Sequence, residues 1–153
     1  MIGLLMLFQI FFVVIAHAQE DKIKPSRGAT VVITFTSTWG PVKSGNAPAA
    51  QVASIAPAAI FVKDNAGVSY PVKSFRLNYK FKSAYKDDET EELKYKSDLR
   101  VGEFTDTAQL SNVWIESIKD NVKAGDTILI NKILFRNKAG KFQMAPDIRI
   151  AVN

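Results

Sequence analysis

Residues 74–85 (SFRLNYKFKSAY) alternate large apolar and polar side chains without a break. Phe75, Leu77, Tyr79 and Phe81 fall on one side; Arg76, Asn78, Lys80 and Lys82 fall on the other. A period of two belongs to an extended strand, because a helix would scatter those four apolar groups around its axis. Burying them stabilises by roughly 1.5–3 kcal/mol each, which fixes the strand's register. A chain with such a strand needs sheet neighbours and a second layer to cover the apolar face.

The neighbours are legible on both sides. Residues 30–38 (TVVITFTST) read as a first strand, with Val31, Ile33 and Phe35 on one face and Val32, Thr34 and Thr36 on the other; Trp39-Gly40-Pro41 ends it. Residues 58–63 read as a strand, 64–67 (DNAG) as a turn tolerant of positive φ, and 68–72 as the returning strand. Residues 93–97 (LKYKS) form the partner of 74–85, again alternating apolar residues with lysines, and Gly102 marks a turn or bulge. Residues 127–135 (TILINKILF) are β-branched and apolar, 138–141 read as a turn, and Ile148, Ile150 and Val152 alternate with Arg149 and Ala151 as a closing strand. Between them lies one helical pattern, expected over 107–122: Leu110, Val113, Trp114, Ile118 and Val122 recur at spacings of three and four, with Thr105, Asp106 and Thr107 as N-cap candidates and Gly125 as the stop. Alternating strands with turn signals between them predict a mainly β protein, a two-sheet β-sandwich with one helix near the C-terminal third.

Residues 1–18 are almost wholly apolar and end in Ala16-His17-Ala18, the form of a secretory signal peptide with an A-x-A cleavage site. The chain is therefore expected to be exported, to the periplasm or beyond, with no membrane span after removal of the signal. Residues 19–28 are a polar lead-in, and 29–153 are long enough for a single domain with its own core. The sequence has no cysteine, and its one histidine, His17, lies in the signal. That removes Cys-His and Ser-His-Asp devices and most zinc sites from the remaining chain. The acidic run at 87–92 (DDETEE) lacks the ligand spacing and central glycine of a calcium loop and reads as a solvated turn. No phosphate-binding, dinucleotide or nucleophile-elbow motif occurs, so neither an enzyme nor a bound cofactor is expected. The net charge of +5 gives a basic surface, and no nucleic-acid module is present.

Three stretches, VKSFRLNYK, FTDTAQLSNVWIESIKDNVKAGDTILINKI and RNKAGKFQMAPDIRIAV, together resemble the C-terminal domain of gliding-motility protein M (GldM) over residues 71–152. That family forms the periplasmic shaft of the gliding and type IX secretion machinery of Bacteroidetes-type bacteria. The resemblance implies an immunoglobulin-like sandwich without enzymatic activity, working through protein–protein contacts and self-association. This chain departs from the family in lacking its membrane-spanning helix and its long shaft domains.

The expected function is thus a non-enzymatic exported interaction module with a protein partner in the cell envelope and scope for homo-oligomerisation. The basic row Arg76, Asn78, Lys80 and Lys82 is the expected contact surface, with Trp39, placed beside Gly40 and Pro41, as an exposed anchor. The alternative is a soluble binding protein for a small molecule or glycan, using the Ala- and Pro-rich connection 42–57, expected to be a long loop with one helical turn near 51–55.

Overall fold

A computed structural model describes residues 32–153; the expected signal peptide (1–18), the lead-in (19–28) and the start of the expected first strand lie outside the described residues. In chain order the elements are β1 (Phe35–Trp39), β2 (Gly45–Ala47), α1 (Ala49–Ile55), β3 (Ile60–Asp64), β4 (Ser69–Tyr70), β5 (Val72–Lys86), β6 (Leu93–Thr105), α2 (Asn112–Asn121), β7 (Thr127–Arg136), β8 (Phe142–Met144) and β9 (Ile148–Val152). The fold is mainly β. A 3-stranded sheet in the order β1-β3-β4 packs in sandwich fashion on a 6-stranded sheet in the order β2-β9-β7-β5-β6, with β8 beside β7.

The alternation in β5 sets the core. Phe75, Leu77 and Tyr79 are buried and Phe81 packs against the core's margin, while Lys80 and Lys82 are exposed. On β7, Ile128, Ile130, Ile133 and Phe135 face inward, and Ile148, Ile150 and Val152 of β9 extend the same apolar layer. Phe135 meets Phe35 and Tyr70 of the smaller sheet at ring-centroid distances of 4.7 and 5.4 Å, so an aromatic cluster ties the two layers together.

Several expectations are corrected. The first strand starts at Phe35; Val32 and Ile33 precede it and are exposed. Trp39 is fully buried (0% exposed) and its indole Nε1 donates to the Ala58 carbonyl at 3.1 Å, so it is a core residue. The 42–57 segment is built into the body of the protein. β2 pairs parallel with β9, and α1 sinks Val52, Ile55 and the following Ala56 into the core. The described residues accordingly hold two helices, and these pack on each other. Gly102 is neither turn nor bulge: it pairs with Leu77 within a continuous β6. A Cβ there would lie 2.8 Å from the Trp114 ring, and only a glycine leaves the indole room to cross the strand.

The helix starts later than the apolar spacing suggests. Asp106 sits at φ +54, and the Thr107 hydroxyl accepts the Gln109 N–H at 3.0 Å, a local turn that competes with helix initiation. Ser111 becomes the N-cap position without a side-chain cap bond. Leu110, outside the helix, is buried, but the helical phase is set by Trp114, Ile115, Ile118 and Val122, and Val113 is left 80% exposed. Gly125 takes φ +93 beyond the helix end, donating to the Val152 carbonyl and turning the chain into β7.

Candidate functional site

The expected contact row lies on the outer face of the larger sheet, and cross-strand pairing shows what surrounds it. On β6, Glu103 lies opposite Arg76, Val101 opposite Asn78, Leu99 opposite Lys80, Ser97 opposite Lys82 and Tyr95 opposite Ala84. On β7, Asn131, Leu129 and Thr127 lie opposite Arg76, Asn78 and Lys80, and Arg149 of β9 lies opposite Leu129. Directly paired residues share a face. The outer face is therefore a mixed surface in which cations alternate with exposed apolar groups.

The four polar residues of the row differ in freedom. Arg76 Nε donates to Glu103 Oε1 at 2.9 Å, and the guanidinium's Nη2 reaches the same oxygen. Arg76 holds the Glu103 carboxyl below the usual carboxylate range, first by that hydrogen bond and then by its charge; Lys132 acts in the same direction. Asn78 Nδ2 donates to the Leu129 carbonyl at 3.3 Å and to Asn131 Oδ1 at 3.2 Å, so it binds its own sheet. Lys80 and Lys82 project without an ion pair among the described residues, as does Arg149. The row is thus two free lysines joined by a free arginine, with Arg76 neutralised by Glu103. Trp39 is buried in the core beneath Ala58, where its ring cannot reach a partner.

The residues that sequence reasoning did not single out are apolar. Leu93, Tyr95, Leu99 and Val101 of β6 are 63, 64, 61 and 49% exposed. All four occupy the outer side of the strand, opposite Lys86, Ala84, Lys80 and Asn78. A shallow depression of about 230 Å³ lies among Asn78, Lys80, Leu99, Thr127, Leu129 and Arg149, where the apolar row meets the free cations. Single exposed apolar residues are ordinary, but a row of four along one strand is not.

The far part of the β5–β6 hairpin projects beyond the core. From Lys82 onward on β5, and up to Asp98 on β6, every residue is exposed or half-buried. Its tip is fastened by Asp87, whose carboxylate accepts from the Glu89 and Thr90 N–H groups, the Thr90 hydroxyl and the Lys94 ammonium. The Lys94 bond leads, with those of Thr90 next, in pulling the Asp87 carboxyl down to about 2. The acidic run is thus a turn that satisfies itself, and among the described residues no group of His, Cys, Asp or Glu side chains is arranged to hold a metal ion. Among the same residues no helix is long and apolar enough to cross a membrane.

Neither the family models nor the curated proteins compared with this chain give a match.

Proposed function

We propose that this chain is a non-catalytic, exported interaction module that engages a protein partner of the cell envelope through the outer face of its larger sheet. The observation that carries this reading is the exposed row Leu93, Tyr95, Leu99 and Val101 running beside Lys80, Lys82 and Arg149. An apolar strip rimmed by unpaired cations suits a partner whose surface is apolar at its centre and acidic around it. The resemblance to the terminal domain of gliding-motility protein M supports the same reading, since that domain works through protein contacts. The alternative reading, a small-molecule or glycan site in the 42–57 loop, loses its structural basis because that segment forms β2 and α1 and buries Val52, Ile55 and Ala56.

The test is capture of partners from envelope extract by the wild type and by a Lys80→Glu/Lys82→Glu/Arg149→Glu variant. Exposed charges at a rim act on association rate more than on folding. The variant should therefore keep the wild-type melting temperature and capture less at low salt, with the difference shrinking as salt shortens the screening length to about 3 Å at 1 M. Equal capture at low salt would show the face to be a solvated surface.

A further inference from the structure

β6 is the last strand of its sheet, with no partner on its far side among the described residues. Which of its backbone groups face that open edge follows from the hydrogen-bond parity. Asp87 N–H donates to the Glu92 carbonyl at 2.9 Å, so 87 and 92 form a bonded pair, and the bonded pairs continue at every second residue: 85 with 94, 83 with 96, 81 with 98. The other side of the sheet agrees, because Val152 N–H donates to the Asp126 carbonyl, which turns the even residues at the start of β7 toward β9 and the odd ones toward the even residues of β5. The odd residues of β6, from Leu93 to Glu103, therefore point their N–H and C=O groups into the open edge. They include all four residues of the exposed apolar row, Leu93, Tyr95, Leu99 and Val101. A long, exposed, apolar edge strand is a template for another strand.

The occupant is encoded in the strand itself. We infer that β6 pairs antiparallel with β6 of a second copy of this chain, about a two-fold axis at Ser97. In that register Tyr95 faces Leu99 of the second copy and Leu93 faces its Val101, so all four exposed apolar residues pair with one another. On the opposite face Lys96 meets Asp98, twice by symmetry. A shift centred on Asp98 puts two aspartates together and sets Leu93 against Glu103. A shift centred on Lys96 puts two lysines together and Tyr95 against Ser97. Like charges directly opposite are destabilising and opposite charges stabilising, so the Ser97 register is selected. The unfavourable contact between the paired strands, Lys94 with Arg100, is also made twice, and it involves side chains already held by their own chain: Lys94 by Asp87, and Arg100 by the Ser117 hydroxyl at 2.8 Å. Edge lysines commonly block strand addition; here Lys96 lies 3.8 Å from Asp98 of its own chain, which also accepts from the Ser83 hydroxyl, and the symmetry brings the second copy's Asp98 opposite it as a further partner. Five bonded residue pairs at two bonds each would add about ten backbone hydrogen bonds. The pairing deepens the proposed function by naming a second copy as a partner, and it rests on the reading that this hairpin is a contact surface.

The experiment is sedimentation equilibrium of the chain purified from an exporting host, as wild type, as Lys96→Glu, as Asp98→Lys, and as an equimolar mixture of the two variants. The wild type should dimerise. Each single variant sets like charges against each other twice and should raise the dimer dissociation constant by roughly tenfold or more. The mixture restores both opposite-charge contacts and should recover a heterodimer, a result no folding defect can mimic. A wild type that stays monomeric, or a dimer indifferent to both variants, overturns the proposal. So does slow amide exchange at Tyr95, Ser97 and Leu99 in a monomer, which would assign the edge to another part of the same chain. Neither Lys96 nor Asp98 lies on the outer face, so loss of partner capture by the Lys80, Lys82 and Arg149 variant would uphold the proposed function even if self-pairing failed.

Discussion

At the residue scale, the most demanding pair in the core is Tyr79 with Asp126. Asp126 is buried at the mouth of β7, where its Oδ2 accepts the Tyr79 hydroxyl at 2.7 Å and the Lys123 N–H at 3.0 Å, while its Oδ1 is buried without a partner. Burial, followed by the bond to Asp126, raises the Tyr79 hydroxyl's pKa well above that of an ordinary tyrosine, so it stays a donor throughout the neutral range. The bond connects the middle of β5 to the turn that leaves α2. Tyr79→Phe keeps the ring and removes only the donor, leaving a buried carboxylate short of a bond, and should destabilise by about 1–3 kcal/mol in denaturant titration. A change near zero would mean that solvent reaches the carboxylate. Sequence alternation predicts the burial of Tyr79 but says nothing of its hydroxyl, because Asp126 lies 47 residues away and reads only as a turn residue beside Gly125. Trp39 is the opposite case: continuing the face of Phe35 by two steps of two reaches Ser37 and Trp39, and both are buried, so the signal lies one residue past the expected end of the strand at Thr38.

At the element scale, strands with large side chains at every second position were legible, and segments of small residues were not. β5 and β9 declare their inner faces because three bulky buried groups at every second position decide each register, whereas the inward residues of β7 shift phase between Ile130 and Ile133, at a bulge where Lys132 takes φ +52. β2 (GNA) and α1 (AAQVASI) carry no such pattern; their places are fixed by pairing with β9 and by the depth at which Val52 and Ile55 sit. The proposed contact surface shows a subtler limit. The alternation of Leu93 and Tyr95 with Lys94 and Lys96 is visible in the sequence, yet which face they take depends on the turn. The turn sets Leu93 against Lys86, on the lysine side of β5; one residue more or less would send the apolar row inward. The turn is set by Asp87, which yields a test by pH. The folded-state pKa of this carboxylate lies below its ordinary value of 3.8, at about 2. Its hold on the turn is therefore complete above the ordinary value and is lost as pH falls through the folded one. The Glu89 and Thr90 amide shifts should titrate with a midpoint near the lower value in NMR spectra; a midpoint at the ordinary carboxylate value would mean that Asp87 does not fasten the turn.

At the scale of the whole molecule, the sandwich and the projecting hairpin do different work, and they should be separable. The core draws its buried residues from β1, β2, β3, β4, α1, the first half of β5, the end of β6, α2, β7 and β9. Between Lys82 and Ser97 no side chain belongs to it. Phe81 and Asp98 form a bonded pair, the geometry that flanks a two-residue turn closed by a C=O to N–H bond three residues on. Replacing residues 82–97 by Asn-Gly should thus join β5 to β6 in register through a type I′ turn, the type that matches the natural twist of a hairpin. The outcome expected is a folded protein whose melting temperature moves by no more than about 4–8 °C, the shift that roughly 1 kcal/mol produces in a domain near this size. Self-association through β6 should disappear with the hairpin, because Leu93, Tyr95, Lys96 and Ser97 go with it. If the shortened chain failed to fold, the hairpin would be part of the protein's stability, and its exposed apolar row would need an explanation inside the monomer. If it folded and still dimerised, the two-fold contact would have to be sought on the remaining outer face, around Lys80, Leu129 and Arg149.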